Sequence, residues 1–412
     1  MSQIPAALAE ESEWTLGWRI VLGCALGAGA GIVLLFFTFN MFVLPLASEL
    51  GVSRGEIGSI QALIVTGALG AIVIGRAADI WGFKPVYLAC ATIVIAGQVL
   101  SAMFGTTLTH MAITIAVLGF FGVGTTAVVT TRPINAHFHR YRGRALGLVA
   151  TGVSITAIIG PLLLGPIIGT YGWRGGFLGL AAFMGLVGIP AVAFIVPTSA
   201  SRAHAGVVRG AKSDWSFLKT GDFRLMAASL ALMGMATAGF VGQLSPIIQD
   251  EGFNAGTGAL AVSVFAAGQF VGRLGGGWLL DTFRPQLVGL IFTIIPGSGF
   301  LVLMLSDQML WAALVAAALI GLQQGVELDL FAYFVARRFP IAQYGTIYGA
   351  LHGFSWIGNA LGIVGVGLLH DRLGSYDLAQ GMAMAALTLG AMLIWAVRLP
   401  PLIARPQRFR AG

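Results

Sequence analysis

The sequence predicts an all-α integral membrane protein, with twelve membrane-spanning helices in two parallel six-helix repeats and both termini in the cytoplasm. Three observations indicate this fold class: an apolar composition, a series of long apolar runs, and landmarks that recur at a constant spacing. Of the 412 residues, 57% are hydrophobic and 9% are charged, and the mean hydropathy is +0.89. A typical soluble domain contains about 25% charged residues, so this composition excludes an ordinary soluble protein. Disorder is excluded as well, because it requires low hydrophobicity and high charge.

Twelve apolar runs are separated by charged residues or by Gly and Pro, and a helix needs about 20 apolar residues to cross the hydrocarbon core. The predicted spans 1 to 12 lie at 17–47, 56–78, 84–104, 108–131, 143–169, 174–197, 222–249, 257–280, 286–306, 309–336, 342–369 and 378–399. The longest polar interruption follows span 6. It predicts an N-terminal bundle, a cytoplasmic linker, a C-terminal bundle and a cytoplasmic tail, at 1–197, 198–221, 222–399 and 400–412.

The basic residues indicate the orientation of the spans. With both termini in the cytoplasm, the outer loops hold only Arg54, Arg174 and Arg372, Arg273 lies within span 8, and the other 19 basic residues fall on the cytoplasmic side. Cytoplasmic loops of membrane proteins carry an excess of Lys and Arg. The net charge of +7 is therefore explained by topology, and we expect no nucleic-acid partner.

Landmarks in the first half of the chain recur in the second half at one offset. Asp79 and Asp281 are 202 residues apart, as are Gly143 and Gly345, and further Gly and Pro pairs recur at 201 or 202. Because each repeat holds six helices, an even number, both repeats have the same orientation. Parallel repeats of this kind occur in secondary transporters, whose substrate sites lie near the midplane between the halves.

The loop after span 2 carries a recognisable motif, Gly75-Arg-Ala-Ala-Asp79-Ile-Trp-Gly82-Phe-Lys84, and a partial copy ends at Asp281. The motif resembles the signature G-x-x-x-D-x-x-G-x-[RK] of the major facilitator superfamily. An aspartate can cap a helix N-terminus, and glycine permits close packing and a tight turn. The resemblance implies a cytoplasmic gate that acts on conformation without binding substrate. Its residues would be Gly75, Asp79, Gly82, Lys84 and Asp281.

Other segments resemble the monocarboxylate and oxalate/formate transporter branch of that superfamily, namely 137–147, 172–175, 325–333, 337–339 and Arg273. The chain departs from that branch at three places. Span 1 has no lysine, Gln269 stands where eukaryotic members carry an aspartate, and His352 lies about where oxalate-type members carry a lysine. The resemblance implies a transporter of small organic anions and leaves both the acid and the coupling open.

Three charged residues, Arg273, Glu327 and Asp329, fall well inside apolar spans. A charge at the bilayer centre costs about 2.5–3.5 kcal/mol even on lenient scales, so such residues normally face a cavity or a partner. Arg273 suits a carboxylate receptor, because its planar guanidinium binds such a group bidentately; the alternative is a structural ion pair with an acid of span 10. Glu327 and Asp329 are candidate proton carriers, with Glu327 placed first because it shares a polar face with Gln323 and Gln324.

Polar and aromatic side chains near these charges predict the substrate pocket. Gln269 lies one turn from Arg273, Gln324 lies on the polar face of span 10, and Tyr348, His352 and Trp356 follow the helical period in span 11. The N-terminal half supplies the further candidates Asn40, Gln61 and Thr151.

We therefore expect a carrier of the cell inner membrane that takes up small monocarboxylates together with protons by alternating access. Its partners would be a small carboxylate, protons and the lipid bilayer, and we expect a monomer without cofactor or metal. The alternatives are an anion exchanger of the oxalate/formate type and a drug/proton antiporter. An enzyme or receptor on this scaffold is disfavoured, because no catalytic constellation, P-loop or dinucleotide fingerprint is present.

Overall fold

The computed structural model describes residues 6–198, 215–241, 244, 247–248, 252, 255–305 and 309–400. These residues form α-helices joined by short turns and single-turn 3₁₀ or π segments. The helices are α1 Ala6–Gly29, α2 Ile32–Thr38, α3 Asn40–Leu50, α4 Arg54–Ala62, α5 Gly67–Trp81, α6 Phe83–Phe104, α7 Leu108–Gly122, α8 Ala127–His137, α9 Arg142–Phe183, α10 Gly221–Val241, α11 Ala255–Thr282, α12 Pro285–Met304, α13 Leu310–Arg338, α14 Tyr344–Leu373 and α15 Asp377–Trp395. The predicted all-α class is confirmed.

Within the described residues, nine helical stretches are long and apolar enough to cross a membrane, or ten if a pair bent by 42° counts as one span. One of these stretches, Arg142–Ile195, contains 54 residues, enough for two crossings. Helix α11, with 28 residues, is also of spanning length. These lengths are consistent with twelve spans, whereas the number twelve, the cytoplasmic termini and the domain bounds stay predictions. Residues 199–214 of the predicted linker and 401–412 of the predicted tail lie outside the described residues.

The predicted spans 1, 5 and 6 are less regular than the apolar runs suggested. Span 1 consists of α1, α2 and α3, and the break before α2 is stabilised by the backbone N–H of Ile32, which donates to Thr125 Oγ1 at 3.0 Å. Helix α9 runs through span 5 and into span 6, bent at Gly172, whose φ of 67° favours glycine. Two π turns, Met184–Gly188 and Ala191–Ile195, follow it.

Helices before residue 199, here called the N-terminal half, meet those after residue 214, the C-terminal half, through a capped helix end. Asp79, near the end of α5, accepts from the backbone N–H of Gly345 at 2.9 Å and of Thr346 at 2.7 Å. The Thr346 hydroxyl donates to the same carboxylate at 2.7 Å. The first N–H groups of a helix have no partner within the helix and carry partial positive charge. Asp79 therefore caps α14 across the boundary between the halves.

A second carboxylate makes the reciprocal contact. Asp281, near the end of α11, accepts from the backbone N–H of Gly143 at 2.6 Å and of Arg144 at 2.9 Å. These N–H groups begin α9 in the N-terminal half. Each partner is displaced by 202 residues from its counterpart around Asp79, so the repeat found in the sequence is also a repeat of contacts.

The capped helices approach each other very closely beside both aspartates. A Cβ atom added at Gly75 would lie 2.1 Å from the carbonyl oxygen of Gly345, and one added at Gly143 would lie 2.2 Å from that of Gly277. Only glycine fits at such distances, and small residues are what permit membrane helices to pack backbone against backbone. Helix α5 therefore packs on α14, and α9 on α11, at the end of the protein predicted to be cytoplasmic.

The remaining motif residues have local structural roles. Gly82 adopts a φ of 88°, which allows the turn between α5 and α6, and Lys84 donates from Nζ to the carbonyl of Ala193 at 2.9 Å. Arg132, one of the basic residues counted on the cytoplasmic side, is buried in α8. Its Nε atom lies 3.2 Å from Asp79 Oδ1, and this acidic partner offsets part of the cost of burying the guanidinium.

We expect Asp79→Asn to destabilise the protein more than Asp281→Asn. The first change leaves Arg132 buried without its anionic partner, which typically costs about 3–5 kcal/mol. The second weakens a helix cap, which costs about 0.5–2 kcal/mol. Melting temperatures of the purified variants in one detergent measure the difference. Equal losses would contradict the buried ion pair, and Arg132→Met should recover part of the loss in the Asp79→Asn background.

Candidate functional site

Arg273 lies at the boundary between the halves and is held by the opposite half. One of its terminal nitrogens donates to the carbonyl of Ala150 at 2.7 Å and to Ser154 Oγ at 2.6 Å. Both acceptors belong to α9, whereas Arg273 belongs to α11. The guanidinium is thus fixed by two neutral oxygen atoms on a neighbouring helix.

The rest of the Arg273 guanidinium has no hydrogen-bond acceptor in the described part of the chain. Its Nε and second terminal nitrogen make no hydrogen bond within the described residues. Asp329 of α13 is the acid that acts on it electrostatically, yet no ion pair within 4.0 Å joins the two in this part of the chain. A guanidinium edge of this kind can bind a carboxylate through two parallel hydrogen bonds.

The two acids of α13 are both buried but differ in their hydrogen bonds. Glu327 is 6% exposed and accepts from Gln323 Nε2 at 3.1 Å. Asp329 is 5% exposed, and its Oδ2 atom has no hydrogen-bond partner among the described residues. Two residues correspond to about 200° around a helix, so the two carboxyls leave α13 on different sides.

Two predicted pocket residues, Gln269 and Gln324, form a hydrogen bond with each other. Gln269 Nε2 of α11 donates to Gln324 Oε1 of α13 at 3.0 Å. Because Gln269 is one turn from Arg273, this bond fixes α11 against α13 beside the guanidinium. The pair is thereby a polar bridge between two helices of the C-terminal half.

Three predicted pocket residues, Tyr348, His352 and Trp356, lie in α14, and the first of them has a structural role. The Tyr348 hydroxyl donates to the carbonyl of Leu328 at 3.0 Å, and its ring stacks on Tyr344 at 5.5 Å between centroids. His352 contacts the Tyr348 ring edge-on at 5.3 Å and is 9% exposed. Neither ring nitrogen of His352 has a hydrogen-bond partner in the described part of the chain. Trp356, one turn further on, is half-buried.

The candidates of the N-terminal half have different surroundings. The side chain of Asn40 lies outside the described residues. Thr151 donates to the carbonyl of Leu148 in its own helix at 2.7 Å, so that hydroxyl is already engaged. Gln61 lines a small apolar cleft that contains none of the other predicted site residues. The remaining walls of the cleft are formed by Leu35, Phe36, Phe39, Ile64, Ile115 and Leu118.

Sequence reasoning missed two polar contacts between the halves. Ser154, one turn after Thr151, is the side chain of α9 that reaches Arg273. The Tyr344 hydroxyl lies 2.9 Å from Thr131 Oγ1 and accepts from Asn135 Nδ2 at 3.0 Å, which ties α14 to α8 next to Tyr348. Ser154 could have been predicted, because it lies one helical turn after Thr151 and therefore on the same side of the helix. No feature of the sequence indicated the cluster around Tyr344.

The comparisons with known proteins agree with this architecture. The family model described as Major Facilitator Superfamily matches residues 25–363. The chain is 27% identical over 369 residues to monocarboxylate transporter 11 of Mus musculus, covering 87% of this chain and 79% of the relative. It is 26% identical over 391 residues to monocarboxylate transporter 13 of Bos taurus, covering 93% and 89%.

Solved structures show the same fold. The major facilitator transporter FucP in its outward conformation superposes with a TM-score of 0.73 at 16% identity, covering 92% of this chain and 99% of that one. The human organic anion transporter MFSD10 superposes with a TM-score of 0.68 at 13% identity, covering 91% and 99%. The fold and the resemblance found in the sequence are thus confirmed: the chain is a multi-pass membrane transporter, not an enzyme, and belongs to the Major Facilitator Superfamily.

Proposed function

We propose that this transporter carries small organic anions, with proton-coupled uptake of monocarboxylates by alternating access in the cell inner membrane as its activity. The observation that carries the proposal is the guanidinium of Arg273. It lies inside an apolar helix at the boundary of the halves, is held by neutral acceptors, and has two nitrogens that make no hydrogen bond within the described residues. The relatives named as monocarboxylate transporters, which align over most of the chain, support the same substrate class.

Energetics favour an anion at Arg273. A charge inside a membrane span is costly unless it has a partner, and here the two hydrogen-bond acceptors are uncharged. A substrate carboxylate would neutralise the guanidinium and bind it bidentately. Gln269 and Gln324, bonded to each other beside Arg273, would form one wall of the pocket, with His352 and Trp356 on the facing part of α14.

The acids of α13 would couple transport to protons. A substrate carboxylate on Arg273 comes within electrostatic range of Asp329, so two negative charges would meet in an apolar region. Protonation of Asp329 removes that repulsion, so anion and proton enter together as a neutral pair. Glu327, already bonded by Gln323, is the second candidate carrier. The electrostatic interaction with Arg273 moves Asp329 ahead of it.

Alternating access would use the two capped interfaces. Asp79 and Asp281 hold α14 and α9 at the end predicted to be cytoplasmic. Release of substrate on that side would require both caps to separate, because each one crosses the boundary between the halves. Because the two caps are related by the sequence repeat, one rocking motion of the halves would separate both caps.

Anion exchange is a second candidate function, and His352 is the observation that favours it. Its two ring nitrogens have no partner among the described residues, and a histidine could supply a second positive charge for a dicarboxylate. Counterflow of labelled oxalate or succinate in proteoliposomes without a pH gradient would support exchange. Uptake that requires an inward proton gradient would support symport.

Replacing Arg273 tests the anion receptor. We expect Arg273→Ala to raise the half-saturating concentration of radiolabelled lactate, pyruvate or benzoate about 10- to 100-fold, the loss expected for charge-assisted hydrogen bonds. Arg273→Lys should recover little of this loss, because lysine lacks the planar fork. Proteoliposome uptake measures both. The exposed Arg284 provides the control Arg284→Ala, and wild-type affinity in Arg273→Ala would overturn the proposal.

Replacing the acids of α13 tests the coupling. Asparagine at 329 imitates a permanently protonated aspartic acid, so Asp329→Asn should lose uptake driven by a proton gradient. It should keep exchange of labelled for unlabelled acid, because binding still occurs without the proton cycle. Glu327→Gln, measured in the same vesicles, identifies the carrier. Full gradient-driven uptake in both variants would exclude these carboxyls as proton carriers.

A further inference from the structure

The contact between Arg273 and α9 is unusual because it joins the proposed anion receptor to the opposite half of the protein. Two acceptors of α9 hold a single terminal nitrogen, the Ala150 carbonyl at 2.7 Å and Ser154 Oγ at 2.6 Å. The backbone takes part as well, since a Cβ atom added at Gly147 would lie 2.4 Å from the carbonyl oxygen of Arg273. Residue 273 is thus docked on α9 by both its backbone and its side chain.

The hydroxyl of Ser154 differs from those of its neighbours in α9. Thr151 donates to Leu148 of its own helix at 2.7 Å, and Thr156 donates to Gly152 at 3.1 Å. Such bonds to the preceding turn are the usual arrangement for Ser and Thr within a helix. Ser154, 5% exposed, instead receives the guanidinium of Arg273.

The dock depends on the same interface as the Asp281 cap. Helices α9 and α11 touch where Gly143 lies against Gly277, and the cap on the N-terminus of α9 is made by Asp281 of α11. Separation of these helices on the predicted cytoplasmic side would withdraw Ser154 from Arg273. The orientation of the guanidinium is therefore linked to whether that side is closed.

We infer that Ser154 is a positioning residue for the anion site, which orients Arg273 only while α9 and α11 are in contact. With one terminal nitrogen held by Ser154 and Ala150, Nε and the other terminal nitrogen form a fixed fork for a carboxylate. When the helices part, the fork becomes mobile and its affinity for the anion falls, which favours release on that side. A ligand shifts a conformational equilibrium only by such a difference in affinity. This inference rests on the proposed role of Arg273.

Uptake kinetics of Ser154 variants test the inference. We expect Ser154→Ala to raise the half-saturating concentration of radiolabelled lactate, pyruvate or benzoate about three- to tenfold, the factor for ordering one long side chain on binding. The maximal rate should change less than about twofold, because the chemistry of coupling is untouched. Ser154→Thr retains the hydroxyl and should restore the affinity. Thr156→Val, which removes a hydroxyl bonded to its own helix, is the matched control and should behave as wild type.

The outcomes separate this inference from the proposed function. Failure of lactate, pyruvate, benzoate, oxalate and succinate alike to enter wild-type vesicles, or unchanged affinity in Arg273→Ala, would overturn the anion receptor itself. Weak binding in Arg273→Ala together with wild-type affinity in Ser154→Ala would overturn only the positioning role. So would a Ser154→Thr variant as defective as Ser154→Ala, or a loss confined to the maximal rate. Melting temperatures within a few degrees of wild type confirm that each variant is folded.

Discussion

The closed side of the structure depends on one constraint, which is that the N-terminal N–H groups of α14 and α9 need acceptors from the opposite half. The first N–H groups of a helix need acceptors, and an apolar protein surface cannot supply them. Here each half satisfies the helix end of the other, through Asp79 for α14 and Asp281 for α9. A cap of this kind is strong when the helices touch and absent when they part. It therefore gives the protein a discrete contact that can be made or broken, as a transporter requires.

Close backbone packing and buried charge follow from the same arrangement. The Asp79 cap can form only if α5 lies directly against α14, which the contact between Gly75 and Gly345 allows. The carboxylate of Asp79 then also accepts from Arg132, so one buried anion serves a helix end and a guanidinium together. Burial of each group alone would be costly, whereas burial of the set satisfies every oxygen of the aspartate.

The polar groups around Arg273 differ from Asp79, both of whose oxygens accept hydrogen bonds. The guanidinium of Arg273 has free nitrogens, Asp329 has an unpartnered oxygen, and both nitrogens of His352 lack partners within the described residues. Unsatisfied polar groups destabilise a fold, and the proposed substrate carboxylate would satisfy those of Arg273.

Much of this protein could be read from its amino acids, because membrane burial and sequence duplication leave strong one-dimensional signals. Apolar runs predict helices, a constant offset predicts the repeat, and a charge inside an apolar run marks Arg273, Glu327 and Asp329. Contacts between distant segments leave no such signal. Nothing in the local sequence distinguishes Arg132, buried on Asp79, from basic residues of a loop, and the break in span 1 depends on Thr125, 93 residues away.

The sequence by itself determined the apolar helices, the duplication and the three charges inside apolar spans, since each depends on composition or spacing along one chain. The tertiary structure alone decided which oxygen each buried group meets. Ser154 is the hydrogen-bond partner of Arg273, while Thr151, a predicted pocket residue, donates to its own helix. The physical reason is that a hydrogen bond forms only within a range of a few tenths of an ångström in donor–acceptor distance. The packing of two helices sets that distance.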